Sequence, residues 1–254
     1  MKSPLRYPGG KTRAIKILTD HLPKDTKTLL SPFFGGGSFE LSTGLDVKAN
    51  DLFGPLYTFW SVLKENPEEL EKRIRALMPV DKEMFKRLRT SIMDIHDPVD
   101  VATAYYIINR CSFSGSTFCG GFSQEASTGR LNESSLKTLK SVKLDKVEFS
   151  NLDCCDFLDA HPVSQGTFVY ADPPYYISTY IYGKDGDMHE SFDHEKFARV
   201  IKKRKGPWLI SYNDCEYIRA LYSDCTIESV NWSYGMNAKK PSSEILIYRL
   251  ENKV

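Results

Sequence analysis

A chain of 254 residues, of which 41% are hydrophobic and 26% charged, has the composition of an ordinary globular protein and is long enough to bury a substantial core. The net charge of +1 excludes a uniformly basic surface, so any contact with nucleic acid must depend on local basic segments. Because the chain has neither an apolar run that could cross a bilayer nor a secretory signal pattern, we expect a cytoplasmic protein.

The cysteines and histidines do not form a metal-binding pattern. The six cysteines include no C-x-x-C pair and have no histidine at zinc-finger spacing. His189 and His194 lie in a polar segment without a third candidate ligand nearby in the sequence. We therefore expect reduced thiols and no bound metal.

The first two predicted strands flank a glycine-rich loop. Residues 28–30 are a short apolar run, residues 32–37 include three glycines, and residues 38–43 are compatible with a helix. A second strand at residues 46–50 ends at Asp51. The loop lacks the G-x-G-x-x-G pattern, whereas Asp51 stands where α/β nucleotide sites bind ribose hydroxyls. Together these features predict a cofactor that carries a nucleoside and needs no pyrophosphate cradle.

The middle of the chain is predicted to be helical. Apolar residues recur there at spacings of three and four, which is the helical period. From residue 112 to residue 130 the composition changes to glycine, serine, threonine and aromatic residues, which predicts an exposed functional loop. The predicted helices cover residues 55–64, 67–78, 81–94 and 98–110.

Strand signals return in the last part of the chain. Five segments there are rich in β-branched and aromatic residues, and helical patterns at residues 194–203 and 215–222 separate several of them. This alternation predicts an α/β domain with a mostly parallel sheet, formed by residues 1–54 and 146–254 and interrupted by a helical insert at residues 55–145. The five predicted strands are residues 147–150, 167–170, 208–212, 226–230 and 244–250.

The most informative segment is an apolar strand that runs directly into Asp172-Pro173-Pro174-Tyr175. Two successive prolines stiffen the backbone, and the loop after a parallel strand is where open α/β sheets bind ligands. Asp172 and the carbonyl of Pro173 can accept hydrogen bonds from an exocyclic amine while Tyr175 stacks on a planar base. The alternative interpretation is a rigid turn after a buried strand.

The N-terminal segment at residues 7–12 ends in Gly-Lys-Thr, as a phosphate-binding P-loop does. The Walker pattern requires glycine where Leu5 stands, and no strand signal precedes the segment. A nucleotide-hydrolysing site is therefore disfavoured. We expect instead a turn whose glycines let the backbone approach a ligand while Lys11 reaches a carboxylate.

Taken together and in this order, three motifs resemble those of the Dam-like, class D12 adenine-specific DNA methyltransferases of the α order. The three motifs are Tyr7-Pro8-Gly9-Gly10-Lys11, the Pro32-Phe33-x-Gly-x-Gly-Ser loop and Asp172-Pro173-Pro174-Tyr175. Weaker similarities extend the match over most of the chain. They are Asn109-Arg110-Cys111, Asp156-Phe157, Ser211-Tyr212-Asn213 and Ser243-Glu244-Ile245-Leu246-Ile247.

The resemblance implies a Rossmann-like fold, a target-recognition role for the helical insert, and transfer of a methyl group from S-adenosylmethionine to N6 of a flipped adenine in duplex DNA. Asp172, Pro173, Pro174 and Tyr175 would hold the adenine. Arg6, Arg110, Ser116, Phe118 and Arg130 would contact DNA. The cofactor would contact Tyr7, Pro8, Gly9, Gly10, Lys11, Phe34, Gly35, Gly37, Asp51, Asp156, Phe157 and Asp172.

Two positions depart from the family pattern. Ser31 stands where the family usually has an acidic residue, and the loop at residues 112–121 lacks the expected base-reading arginine, so GATC is not predicted as the target sequence. We expect a monomer that acts on double-stranded DNA, does not associate with a membrane and binds no metal. The alternatives are methylation of cytosine N4 or of RNA adenine, since an acidic loop suits any planar exocyclic amine. A further alternative is an inactive homologue that binds DNA.

Overall fold

Seven strands form one sheet in the part of the chain that the structure describes, residues 2–176, 192–232 and 242–250 of a computed structural model. β-branched and aromatic residues are frequent in these strands, and such side chains suit a pleated, buried surface. The strands are β1 (Thr28–Ser31), β2 (Asp46–Asn50), β3 (Val147–Ser150), β4 (Thr167–Ala171), β5 (Trp208–Asn213), β6 (Thr226–Trp232) and β7 (Ser242–Arg249).

The sheet is mostly parallel, with the strand order β3-β2-β1-β4-β5-β7-β6. β1 pairs in parallel with β2 on one side and β4 on the other, so Leu29 lies opposite both Val47 and Phe168. β7 runs antiparallel to both of its neighbours, β5 and β6. Because the strand order reverses between β1 and β4, a crevice is expected at the carboxyl ends of these two strands.

Eleven α-helices lie within the described ranges, and none of them is long and apolar enough to cross a membrane. Asp97 begins one of the longest by accepting a hydrogen bond from the N–H of Asp100, with Pro98 in the first turn. The helices are α1 (Ile15–Asp20), α2 (Glu40–Thr43), α3 (Gly54–Glu65), α4 (Pro67–Ala76), α5 (Lys82–Ser91), α6 (Pro98–Cys111), α7 (Gln124–Arg130), α8 (Glu133–Ser141), α9 (Cys154–Ala160), α10 (His194–Lys203) and α11 (Glu216–Leu221).

Helix α6 is the centre of the helical region. Ten of its fourteen residues are buried, and α3, α4, α5 and α7 pack against it. Phe59 of α3 stacks on Tyr106 of α6, with ring centroids 5.8 Å apart. The helical pattern predicted from the sequence for residues 55–110 is confirmed.

Apolar residues of the helical region and of the sheet belong to one continuous cluster. This cluster joins Phe59 and Tyr106 to the strand residues Leu29, Val47 and Phe168. A second cluster on the other face of the sheet includes residues of β4, β5, α9 and α10. Helices cover both faces of the sheet, so the central strand β4 is buried at all five of its residues.

The prediction of an exposed loop at residues 112–130 is wrong for residues 124–130, which form helix α7, and for the residues of the segment that are buried. The segment folds into two short 3₁₀ turns, Phe113–Gly115 and Thr117–Cys119, followed by helix α7. Its serines are used locally: the hydroxyl of Ser123 caps α7, and the hydroxyl of Ser112 accepts a hydrogen bond from the N–H of Thr117. A composition rich in small polar residues therefore marks tight turns packed on α6.

Candidate active site

A cavity of about 570 Å³ opens at the carboxyl ends of β1, β2 and β4. This is the position that the reversal of strand order favours for a ligand. The cavity brings together most of the residues that the sequence predicts for cofactor, target base and DNA. Those that line it are Tyr7, Pro8, Gly9, Gly10, Lys11, Phe34, Gly35, Gly37, Asp51, Ser116, Phe118, Asp172, Pro173, Pro174 and Tyr175.

The glycine loop after β1 is shaped by close packing. Gly35 and Gly37 have left-handed backbone conformations, with φ of +50° and +60°. A Cβ atom at Gly37 would lie 2.4 Å from the ring of Phe34, and one at Gly35 would lie 2.9 Å from the ring of Tyr7. Only glycine satisfies both the conformation and the space at these two positions. The motif at residues 7–11 and the loop therefore pack against each other at the cavity wall.

Asp51 anchors the glycine loop to the end of β2. One carboxylate oxygen accepts a hydrogen bond from the N–H of Gly35 at 2.9 Å, and the other accepts from the N–H of Phe53 at 3.0 Å. Burial raises the pKa of Asp51 to about 6, and these two hydrogen bonds oppose the rise. Each oxygen keeps acceptor capacity for a further donor.

The carboxylate of Asp172 is held by two donors from distant parts of the chain. Lys11 Nζ donates to Oδ2 at 2.7 Å, and the hydroxyl of Ser211 in β5 donates to Oδ1 at 2.8 Å. Lys11 is 4% exposed and Asp172 is 24% exposed, so the ammonium of this ion pair is shielded from water while part of the carboxylate is accessible. The prediction that Lys11 reaches a carboxylate is confirmed, and the carboxylate is that of Asp172.

Tyr175 lies beside this ion pair. Its hydroxyl accepts a hydrogen bond from Lys11 Nζ at 2.9 Å and donates one to Glu244 Oε2 at 2.8 Å. Lys11 Nζ is 5.1 Å from the centroid of the Tyr175 ring, so the ammonium approaches the ring from its hydroxyl end. Sequence reasoning gave no role to Ser211 or Glu244, although both lie in segments that show family similarity.

Glu40 is a buried carboxylate that sequence reasoning missed. It lies in α2, lines the cavity and accepts a hydrogen bond from the hydroxyl of Ser31 at 2.7 Å. Burial raises its pKa to about 7; Asp172 adds to the rise, and Lys11 opposes it. Ser31, the position where the family usually has an acidic residue, is thus bonded to an acidic side chain from α2. The signal in the sequence was an acidic residue just after the glycine loop.

Asp156 and Phe157 are not among the described residues that line the cavity. Asp156 is exposed, and Phe157 is fully buried in the second apolar cluster, because α9 turns these positions away. The first turn of α9 and the residue before it line the cavity instead, with Asp153, Cys154 and Cys155. The proposed contacts of Asp156 and Phe157 with a cofactor stay predictions.

Within the described ranges, one group of side chains could hold a metal ion. It consists of Asp153, Cys154 and Cys155, whose ligand atoms lie within 4.8 Å of one another. Burial raises the pKa of both thiols, which disfavours the thiolate form that binds metals. The carboxylate of Asp153 is paired with Lys196.

The two histidines considered in the sequence give no metal site within the described residues. His194 is hydrogen-bonded to the hydroxyl of Tyr212, and His189 lies outside the described residues. The expectation of a metal-free protein stays a prediction.

Three predicted DNA-contacting arginines lie near one another. Burial lowers the pKa of Arg6, and the positive charges of Arg130 and Arg110 lower it further. The guanidinium of Arg110 donates to the backbone carbonyl of Arg130 and so fixes the end of α7. A chain with a net charge of only +1 thus gathers three positive charges here, although none of the three arginines is among the described residues that line the cavity.

Asn109 of α6 joins this basic cluster to the turns. It exchanges hydrogen bonds with the backbone N–H and carbonyl of Arg6 and donates to the hydroxyl of Thr117. Thr117 has a φ of 51°, which is a strained conformation for a β-branched residue. This strained residue and its neighbours Ser116 and Phe118 line the cavity wall.

The mostly parallel, Rossmann-like sheet has a ligand-sized cavity at its switch point, and Asp-Pro-Pro-Tyr lines that cavity. This is the arrangement of an α/β protein that binds a nucleoside-bearing ligand. The D12 class N6 adenine-specific DNA methyltransferase family matches residues 7–236, and the chain belongs to this family. The protein is therefore a site-specific DNA methyltransferase, and its family is the adenine-specific N6 class.

Two curated relatives and one solved structure illustrate the similarity. Type II methyltransferase M.CviBI of Paramecium bursaria Chlorella virus NC1A is 23% identical over 87% of this chain and 86% of its own length. Type II methyltransferase M.MjaIII of Methanocaldococcus jannaschii is 25% identical over 97% of this chain and 96% of its own length. A Methanobacterium thermoautotrophicum precorrin 8w decarboxylase is a distant structural neighbour, with a TM-score of 0.43 and 12% identity over 98% of this chain and 95% of its own.

Proposed function

We propose that the chain transfers a methyl group from S-adenosylmethionine to N6 of an adenine that has been flipped out of duplex DNA. The single observation that carries this proposal is the position of Asp172, whose carboxylate is held at the cavity by Lys11 and Ser211 beside the ring of Tyr175. Flipping is part of the proposal because an amine inside the base stack is inaccessible to a group bound in a cavity.

The glycine-loop side of the cavity, which includes residues 34–37, Glu40 and Asp51, fits a nucleoside-bearing cofactor. Asp51 is an enclosed carboxylate whose hydrogen bonds come from two backbone N–H groups, and a pair of ribose hydroxyls would supply further donors. The glycine loop and Tyr7 form the adjoining wall. When bound, S-adenosylmethionine supplies a methyl group on a positively charged sulfur.

The acceptor side of the cavity, formed by residues 172–175, fits a planar exocyclic amine. Such an amine is a poor nucleophile because its lone pair is delocalised into the ring. Asp172 and the carbonyl of Pro173 accept hydrogen bonds from its two N–H groups and so favour a tetrahedral nitrogen. Tyr175 stacks on the base, and Asp172 is placed to take the proton that the nitrogen releases when the new carbon–nitrogen bond forms.

The basic cluster of Arg6, Arg110 and Arg130 fits contacts with DNA phosphates. Ser116 and Phe118 reach the cavity from the adjacent turns, which supports a contact with the strand next to a flipped base. Target recognition by residues 55–145 as a separate domain, a monomeric state and a cytoplasmic location stay predictions.

Product analysis tests the proposed target directly. Duplex DNA of random sequence, incubated with the protein and S-adenosylmethionine and digested to nucleosides, should contain N6-methyladenine at one sequence context. N4-methylcytosine as the sole product, or methylation of RNA and not of DNA, would overturn the adenine assignment. Tight binding of S-adenosylmethionine and DNA without any transfer would identify an inactive homologue.

A further inference from the structure

Glu244 is a carboxylate in the interior of the sheet. It lies in β7, opposite Asn213 of β5 and Val230 of β6, and is 1% exposed. A buried carboxylate costs free energy unless strong donors satisfy it. The hydroxyl of Tyr175 is such a donor and contacts Glu244 Oε2 at 2.8 Å. Strand β7 is therefore hydrogen-bonded to the loop that carries Asp172.

The hydroxyl of Tyr175 also connects Glu244 to the ion pair of Lys11 and Asp172. An ammonium has three N–H donors, and those of Lys11 contact Gly9 O at 3.0 Å, Asp172 Oδ2 at 2.7 Å and the Tyr175 hydroxyl at 2.9 Å. Two carboxylates, one ammonium and one hydroxyl thus form a continuous chain of hydrogen bonds. Its ends are fixed in different elements, Asp172 after β4 and Glu244 in β7.

We propose that Glu244 is a positioning residue for methyl transfer, because through the hydroxyl of Tyr175 it fixes the ring of Tyr175 relative to the carboxylate of Asp172. The inference rests on the function proposed above. The two prolines restrict the backbone between Asp172 and Tyr175. The side chain of Tyr175 keeps its own torsional freedom, which the bond to Glu244 restricts together with the bond from Lys11.

The ammonium of Lys11 sets the direction of these hydrogen bonds. An ammonium only donates, so the Tyr175 hydroxyl accepts from Lys11 and directs its own proton to Glu244 Oε2. A misplaced ring would hold the base at the wrong distance from the methyl donor, and small errors in the alignment of reacting groups lower the rate steeply. The expected loss therefore falls on turnover rather than on binding of the methyl donor.

A double-mutant cycle separates positioning from a general effect on the fold. Glu244→Gln keeps the size and replaces the carboxylate by an amide, whose oxygen is a weaker acceptor, whereas Tyr175→Phe keeps the ring and removes the hydroxyl. We expect each single variant to lower kcat about tenfold, with the Kd of S-adenosylmethionine changed less than twofold by calorimetry. Because Glu244 acts through the hydroxyl of Tyr175, the double variant should lose about as much as Tyr175→Phe alone.

Glu228 and Tyr248 provide a matched control. The hydroxyl of Tyr248 in β7 donates to Glu228 in β6 at 3.3 Å, and neither residue lines the cavity. Glu228→Gln and Tyr248→Phe should therefore leave kcat at the wild-type value. A tenfold loss in these controls would show that any tyrosine–carboxylate bond in the sheet has this effect, and would overturn the specific role of Glu244.

Other outcomes also decide the question. The proposal is overturned if the double variant loses about a hundredfold, which is the product of two independent tenfold effects. It is also overturned if Tyr175→Phe keeps the wild-type kcat.

If Glu244→Gln does not fold, Glu244→Asp takes its place in the cycle, since it keeps the carboxylate and shortens its reach. A wild-type enzyme that transfers no methyl group to DNA would contradict the proposed function itself, whereas an active wild type without coupling would contradict only the role of Glu244.

Discussion

The two sides of the cavity hold their carboxylates by different means. On the acceptor side, Asp172 is bonded to the ammonium of Lys11 and to a hydroxyl. On the glycine-loop side, Asp51 and Glu40 receive hydrogen bonds from backbone N–H groups and from Ser31, and burial raises the pKa of Asp51 to about 6 and of Glu40 to about 7.

Under the proposed function, this contrast separates two tasks within a single cavity. A carboxylate fixed by charge and by a second donor is held in one orientation, which suits a group that must align an amine. A carboxylate enclosed by neutral donors keeps acceptor capacity and titrates near neutral pH, which suits a group that binds hydroxyls reversibly. Substitutions on the acceptor side should act on turnover, and those on the glycine-loop side on affinity and on the response to pH.

The largest effect is expected for Asp172→Ala. Loss of the acceptor that holds the target amine should lower kcat by about a hundredfold or more, because a hydrogen bond made in the transition state is removed. The Kd of S-adenosylmethionine should change little if the two sides are independent. Turnover near the wild-type value would contradict the assignment of Asp172. Circular dichroism must show that the variant, in which Lys11 has lost its carboxylate, is folded.

Asp51→Ala should show the opposite pattern. The ribose hydroxyls would lose a charged acceptor, which is worth about 1.5 to 3 kcal/mol, so the Kd of S-adenosylmethionine should rise about tenfold or more. Turnover at saturating cofactor should change much less. Calorimetry measures the Kd, and an unchanged value would show that the nucleoside lies elsewhere in the cavity.

The pH dependence of cofactor affinity sharpens the comparison further. The pKa of Asp51 is raised to about 6 in the free protein, so the carboxylate is neutral below that pH. The neutral form is a weaker acceptor, and affinity should therefore fall as the pH is lowered through 6, by up to about tenfold per pH unit. Asp51→Asn should remove this dependence and Glu40→Gln should preserve it. An equal slope in wild type and Asp51→Asn would assign the titration to another group.

The smallest effect is expected for the stability of Glu40→Gln. A raised pKa means that Glu40 stabilises the fold most below its unfolded-state pKa and that this contribution is lost as the pH rises through about 7. Glutamine mimics the neutral form, so the variant should be more stable than wild type at pH 8, on the order of 1 kcal/mol, and the difference should shrink towards pH 5. Denaturant unfolding measures both.

Glu148→Gln is the matched control for this measurement. Glu148 is exposed and paired with Lys48, and its pKa is lowered mainly by that pairing. Its removal should not stabilise the protein at pH 8. If Glu40→Gln behaved as Glu148→Gln does, the carboxylate of Glu40 would have to be stabilised in its ionised form.

Much of the local structure follows from sequence pattern alone. The predicted strands at residues 46–50 and 147–150 and the helix at residues 194–203 are confirmed at their observed bounds, because their apolar spacing and their flanking residues act within a few positions. The short helices α1, α8 and α9 were not predicted. Their six to nine residues are too few for a clear helical period, and α8 depends on a capping box between Asn132 and Ser135.

The sequence by itself determined the chemical groups of the candidate site, since the Gly-Lys segment, the glycine loop and Asp-Pro-Pro-Tyr are local motifs. Only the tertiary structure decided which groups meet. Lys11 and Asp172 are 161 positions apart, and Tyr175 and Glu244 are 69 apart. Their contacts exist because β1 and β4 are neighbours at the reversal of strand order and β7 inserts antiparallel beside β5. A local pattern cannot encode this pairing, because it depends on how distant apolar faces pack into one core.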